Sequence, residues 1–516
     1  MVLIHMSEKM NVLFIMSDQH RADHMSCSGH KILKTPNLDR FASEGVRFTN
    51  AFCTNPMCMP NRATLLTGLY PNVHGVRSNG MLLDESLPTI TQTLVNKGWR
   101  TAGIGKFHYQ YDTPPYRIKE KKSAESYYDW IFPDDDVWTP TGENFPIPYY
   151  HYQEVEMVLG HGTALAGHYM DWLEERSPKH VETMKKRWNN LDASFGPFVD
   201  SDLTVELYPN AYIVEKTIDF LEKHARGDYG DKPFYLHCSF PDPHHPLNPP
   251  GRYKDMYKPD DIELPENFDD LENLQKHPFL KDNINVMPGA MLRETNEEET
   301  RKFIAYTYGI VSLLDDSIGQ VLAAVEKLGY ADNTIVVYTS DHADLMGEHG
   351  MLFKGPSPFN GVLQVPLIWK VPGVTNPAVT DALISSIDYP KTILSLLGIP
   401  ERKHPPDMQG YDMTPVLKDP SKNIRDCCLI EQDEEVGPKG PLFCRLRHLI
   451  TRDHKLTVYE GIKGYGDIFD RKKDPLELHN LWFDEKFQEK RCALVERLMQ
   501  ECLHVQTRNP KRIAPD

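Results

Sequence analysis

No stretch of the 516 residues approaches the roughly 20 consecutive apolar residues that span a bilayer. The early apolar run Val12 to Met16 reaches Asp18 almost at once. The first ten residues, Met1 to Met10, lack the long apolar core of a secretory signal. A cytoplasmic location is therefore the expectation, unless a signal peptide has been removed. Positive charge is also in short supply. The chain carries 57 Lys and Arg against 74 Asp and Glu, a formal net charge of -17. Nonspecific binding to nucleic acid or to a membrane surface suits it poorly, although a local basic pocket is compatible with that balance. The nine cysteines fall in no zinc-finger spacing, and Cys427 and Cys428 are adjacent, with no CxxC pair. A disulfide framework does not suit a chain this long. A cysteine that carries chemistry must show it through its neighbours. No internal repeat is apparent.

What is present is ordinary globular composition, 40% hydrophobic and 25% charged, long enough for more than one domain. Asn11 to Asp18 reads as a buried strand ending in an acid, since a continuous apolar run fits a parallel strand covered on both faces. Thr35 can cap a helix that Pro36 begins and that runs to about Gly45. A second helix is expected from Pro60 to Gly68, a third from Leu87 to Lys97, and others from Tyr208 to His224, Arg301 to Leu328 and Asp381 to Leu397. Strands are expected at Arg100 to Gly105, Phe234 to Phe240, Thr334 to Ser340 and Val365 to Trp369. This order argues for a layered α/β domain with a largely parallel sheet. Residues near 109–202 read as an insertion or as loops around a cleft. After about Pro415 short strands at Cys427 to Gln432, His448 to Thr451 and Lys455 to Tyr459, with a helix from Gln488 to Cys502, suggest a smaller α+β domain. The expected division is 1–414 and 415–516.

Asp18 and Asp341 close two expected strands, on the side of a parallel sheet where ligands bind. With Gln19 and His342 beside them, they offer a mixed oxygen and nitrogen set that suits a hard divalent ion. The plainer alternative is that both acids only cap turns. Cys58 lies between Pro56 and Pro60, at the start of the second helix, where the helix dipole favours an anion or a thiolate. Arg62, one turn on, can offer paired donors. The alternative is a buried structural cysteine. Lys106 and His108 follow a strand, His244 and His245 sit in a Pro-rich turn, and Lys354 follows a Gly-rich stretch. Fixed cations with a proton donor are what a sulfate or phosphate site needs.

These segments resemble the sulfatase family, formylglycine-dependent members of the alkaline-phosphatase-like superfamily, over nearly the whole chain. Cys58-Met-Pro60-Asn61-Arg62 is similar to the family's Cys-x-Pro-x-Arg maturation motif, with Asn61 where Ser is common. Gly105-Lys106-Phe-His108, Pro243-His244-His245-Pro246 and Tyr338-Thr-Ser-Asp341-His342 resemble further family elements. The resemblance implies that a maturation enzyme oxidises Cys58 to formylglycine, whose hydrate attacks sulfur. It implies metal ligation by Asp18, Gln19, Cys58 (as its hydrate), Asp341 and His342, with Ca2+ expected first and Mn2+ or Mg2+ as alternatives. Arg62 and His108 would hold the hydrate and Lys106 and Lys354 the sulfuryl oxygens. His244, with His245 as the alternative and Lys354 sharing the role, would protonate the leaving oxygen of an aryl, alkyl or sugar sulfate. Gln19 replaces a second Asp of many members, as in choline sulfatases and phosphonate monoester hydrolases. A phosphonate monoester or phosphodiester hydrolase is thus the competing enzyme, and a noncatalytic anion-binding protein the competing class. No nucleic-acid or membrane partner is expected. Apolar positions on the final helix allow a homo-oligomer.

Overall fold

The computed structural model describes residues 9–112, 123–126, 145–162, 164–189, 196–199, 202–285, 291–436 and 442–507. The expectation for the first eight residues, and much of the insertion near 109–202, lie outside these. In chain order the strands are β1 (Asn11–Ser17), β2 (Val46–Phe52), β3 (Arg100–Gly105), β4 (Glu154–Met157), β5 (Leu159–His161), β6 (Ala164–Ala166), β7 (Phe234–Ser239), β8 (Arg293–Glu294), β9 (Thr334–Ser340), β10 (Met351–Leu352), β11 (Leu367–Lys370) and β12 (Ala378–Ser385). Four more follow: β13 (Cys427–Val436), β14 (Leu442–Thr451), β15 (His454–Tyr459) and β16 (Gly466–Asp470).

Eight strands form one sheet in the order β12-β2-β11-β9-β1-β7-β3-β4. Only β11 runs against its neighbours. Every residue of β1 and β9 is buried, as their continuous apolar runs require. They pair in parallel with Ser17 opposite Ser340, so the next residue on each strand is an acid, Asp18 and Asp341. Helices Pro36–Ser43, Pro209–Ala225 and Glu297–Lys327 form one packed group; Cys58–Thr67, Ile90–Asn96 and Asp388–Leu396 contribute to another. By length and composition Glu297–Lys327 could cross a membrane, but 72% of its most apolar window is buried inside the protein.

The second sheet, β13-β14-β15-β16, is antiparallel. Its alternation divides the apolar residues cleanly. Cys427, Leu429, Leu449, Leu456 and Ile468 pack with Leu494 and Leu498 of the terminal helix Gln488–His504, whereas Cys428, Ile430, Leu446, Ile450 and Phe469 pack with Phe52, Phe359 and Leu363 of the larger unit. Arg425 and Asp388 add a buried two-point ion pair between the units, at 3.0 and 2.6 Å. Val495, Met499 and Leu503 remain exposed on the final helix.

Several details differ from expectation. The segment expected as one helix from Asp381 to Leu397 is strand β12 followed by the helix Asp388–Leu396, because its first half joins β2 in parallel. Strand β2 itself was not expected, since Arg47, Thr49 and Asn50 interrupt its apolar residues. Thr35 does not cap the helix after it; its hydroxyl meets Ser26, while the Asp315 carboxylate accepts from Asn37 N and Leu38 N at 3.0 and 2.8 Å.

Candidate active site

Helix Cys58–Thr67 begins at the cysteine itself, two residues before the expected start at Pro60. Its N-terminus faces the ends of β1 and β9. Cys58 Sγ lies 3.1 Å from His342 Nε2, 3.8 Å from Asp18 Oδ1 and 2.9 Å from Lys354 Nζ. Burial alone would push this thiol up, but Lys106, Lys354 and His342 outweigh it and hold the thiol well below its ordinary range. Arg62 is fully buried. Its Nε donates to Asp341 Oδ2 at 2.7 Å, Nη2 to Asp18 Oδ2 at 3.2 Å, and Nη1 to Lys106 O and Ser239 Oγ at 2.8 and 3.0 Å. It ties the two acids together and anchors them to the ends of β3 and β7 through Lys106 O and Ser239 Oγ.

Donor atoms of Asp18, Cys58, Asp341 and His342 lie within 4.8 Å of one another, all buried. Gln19 lies next to Asp18, and its backbone N donates to Asp341 Oδ1 at 3.2 Å. Its Nε2 donates to Asp344 Oδ2 at 2.5 Å and lies 3.0 Å from His245 Nδ1, leaving the buried Oε1 without a partner among the described residues. A free amide oxygen beside two carboxylates and an imidazole fits a hard divalent ion.

Lys106 follows β3 and its Nζ touches Asp18 Oδ2. Gly105 makes that turn possible: at φ +101, a Cβ there would come within 1.8 Å of Ser239 O. His108 comes to the same group, its ring 6.4 Å from that of His161, with a buried Nδ1 that has no partner among the described residues. His244 and His245 stack on each other, with centroids 4.3 Å apart, but take different partners. His244 Nε2 is 2.9 Å from Lys354 Nζ, whereas His245 stacks on Phe353 at 3.9 Å and faces Gln19. Burial first, and then His161 and Lys354, hold His244 well below the usual imidazole range. It is therefore neutral at pH 7 and accepts from the Lys354 ammonium.

Asn61 is a clamp. Its Nδ2 donates to Asp341 O at 2.6 Å, and its Oδ1 accepts from Thr54 N, Thr54 Oγ1 and Ser386 Oγ at 3.0, 2.9 and 2.5 Å. Asn61→Ala leaves several of these buried groups unsatisfied, so a loss of about 2–4 kcal/mol is expected. A denaturant midpoint within error of the wild type would show that the clamp contributes nothing.

Sequence reasoning missed His161, Ser239, Asp344 and Glu434. Glu434, on β13, is buried, and its carboxyl is pushed up to about 7 by that burial. Gln432 on the same strand donates to Gly355 O at 2.6 Å, next to Lys354. These residues belong to no motif and reach the site only through the fold.

A family model for sulfatases matches residues 10–399. This chain belongs to the sulfatase family. A model named for the C-terminal part of N-sulphoglucosamine sulphohydrolase matches residues 347–504 of the sulfatase. An arylsulfatase of Clostridium perfringens (strain 13 / Type A) is 28% identical over 504 residues, covering 96% of this chain and 94% of that one. Among solved structures, a phosphonate monoester hydrolase from Silicibacter pomeroyi superposes with TM-score 0.76 at 21% identity, covering 98% of each chain. A protein solved in complex with D-glucosamine-2-N,6-O-disulfate gives 0.70 at 21% identity, covering 98% of this chain and 100% of that one. The structural likenesses bear on the fold; family membership and the named relatives make the sulfatase a sulfuric ester hydrolase.

Proposed function

We propose that the protein hydrolyses a sulfate monoester of an alcohol, phenol or sugar, using a formylglycine made from Cys58 beside a divalent metal. The observation that carries this reading is the meeting of Cys58 with Lys106 and Lys354 over the Asp18, Asp341 and His342 cluster. Asp18, Gln19, Asp341 and His342 would hold the ion, Ca2+ first and Mn2+ or Mg2+ as alternatives; when bound, it supplies positive charge for the sulfuryl oxygens and for a hydroxyl that must ionise. A hydrated aldehyde at position 58 supplies two hydroxyls on one carbon, which removes the need for a separate ester hydrolysis.

The chain's own residues do the rest. Arg62 fixes Asp18 and Asp341 in place. Lys106 and Lys354 flank position 58 and neutralise sulfuryl oxygens. His108 lies beside them and holds a hydroxyl of residue 58. Lys354 stays charged, since Cys58, Asp18 and Asp341 offset its burial. It is the proton source for the leaving oxygen, and His244, accepting from it through Nε2, holds it in place. His245 positions Gln19.

His244→Ala is expected to cost more for alkyl or sugar sulfates than for nitrophenyl sulfate, because an activated phenolate needs little protonation. The difference should be about tenfold or more. Equal losses across leaving groups would remove the acid role, and a larger loss for His245→Ala would transfer it.

The substrate test is turnover of the matured protein on sulfated sugars, aryl sulfates and a phosphonate monoester. Gln19 permits the phosphonate reading, whereas Lys106 and His108 favour sulfate. Glu434 and Gln432 bring the smaller sheet to the site and are suited to a polar substrate body such as a sugar. A cytoplasmic location and a homo-oligomer through the exposed Val495, Met499 and Leu503 complete the reading.

A further inference from the structure

His161 closes β5, in a hairpin with β6 that is separate from the main sheet. The next residue, Gly162, has φ +57, and a Cβ on it would lie 2.2 Å from Pro246 O. Glycine therefore lets the hairpin lie against the loop after β7. That approach lays the His161 ring on His244, with centroids 3.7 Å apart and planes 25° from parallel. It also sets Nε2 against Lys106 Nζ and 3.8 Å from Asp18 Oδ2.

Donor accounting gives this contact a direction. An ammonium has three N–H groups and no acceptor. Lys354 has three partners, Cys58 Sγ, His244 Nε2 and His342 Nε2. Lys106 has two, Asp18 Oδ2 and His161 Nε2. Its third N–H has no acceptor among the described residues. His161 must accept through Nε2, so its proton is on Nδ1. His244 uses the same tautomer, with Nδ1 donating to His245 O. Two lysine–imidazole pairs thus lie side by side, joined by the ring stack.

We propose that His161 is a positioning residue: it holds Lys106 so that the third N–H points at an oxygen of the bound sulfuryl group. The proposal rests on the reading of the site as one for tetrahedral anions and esters. A flexible four-carbon stem held at two points loses less freedom when an anion arrives than one held at Asp18 alone.

The test compares matured wild-type protein with His161→Ala, His161→Gln and His161→Leu. Binding of inorganic sulfate and of phosphate is measured by calorimetry, and kcat and KM are measured on 4-nitrophenyl sulfate and 4-nitrophenyl phenylphosphonate. H161A should weaken anion binding and lower kcat/KM by about tenfold, the scale of one hydrogen bond to a charged group. H161Q should recover most of both, because its amide oxygen can accept from Lys106, whereas His161→Leu, which fills the space without an acceptor, should not. Wild-type anion affinity and kcat/KM in H161A would overturn the proposal. So would equal damage in H161Q and H161A at matched melting temperatures, or a wild type that binds neither anion. If the wild type turned over only the phosphonate, or neither ester, while H161A still lost anion affinity, the sulfate-ester reading would fall and the pairing would stand.

Discussion

Cys58→Ala is expected to lower turnover by at least about 10^3-fold and to abolish labelling of the Cys58 peptide by a hydrazide probe. The expectation follows from where the side chain sits. Cys58 is the first residue of its helix, buried, with one lysine in contact and a second close enough to act on it electrostatically. Helix dipole and ammonium groups all favour negative charge at that point. A thiol offers one nucleophilic atom and no ready path for releasing sulfate from a covalent ester, whereas a hydrated aldehyde offers two oxygens on one carbon. Pro56 and Pro60 limit helix formation around Cys58 before folding, which would leave the segment extended for the proposed maturation enzyme. Peptide mass spectrometry of active protein should show the aldehyde at position 58. Cys58→Ser should retain only a small residue of activity unless a serine-oxidising maturation enzyme is present. Full activity in protein whose Cys58 peptide is wholly unmodified would sink the mechanism, though not the fold.

Asp341→Asn should lose bound metal and about 10^2- to 10^3-fold in kcat/KM while keeping its far-UV circular dichroism. Asp341 does more than offer an oxygen. Its Oδ1 accepts from Gln19 N at 3.2 Å and His342 N at 2.9 Å, and its Oδ2 accepts from Arg62 Nε at 2.7 Å. The amide keeps one of these acceptor oxygens, turns the other into a donor facing N–H groups, and removes one of the two charges opposite a buried guanidinium. Breaking a buried pair outright costs about 3–5 kcal/mol. Asp18 still accepts from Arg62, so the loss of stability should fall below that range. Elemental analysis beside steady-state kinetics decides the matter. Unchanged metal content together with unchanged turnover would take Asp341 out of the site.

The parts of this site that could be read in advance are those whose local sequence already carries the physics. Continuous apolar runs ending in Asp18 and Asp341 specify buried parallel strands and put acids at their ends. The long helix ends at Lys327, beside the expected Leu328, and Gly329 just beyond it takes φ 80. Cys58, Pro60 and Arg62 fall on one short helix, so their relation is fixed by helix geometry. The resemblance of these segments to sulfatases was legible for the same reason: local motifs carry most of the chemistry.

Contacts between distant segments were not legible. His161 sits in a stretch with no clear pattern, and its place against Lys106 and His244 exists only because Gly162 lets one hairpin approach another loop. The different partners of His244 and His245 depend on Lys354, Gln19 and Phe353, far away along the chain. The cap on the helix after Thr35 comes from Asp315, and Asn61 serves as a clamp only because Thr54, Ser386 and Asp341 converge on it. The sequence by itself determined the sheet's central strands, the acids at their ends and the cysteine-bearing helix, since periodicity and turn chemistry act over a few residues. Only the tertiary structure decided which imidazole meets which lysine, because hydrogen-bond partners are chosen by proximity across the fold, and no local pattern encodes that distance.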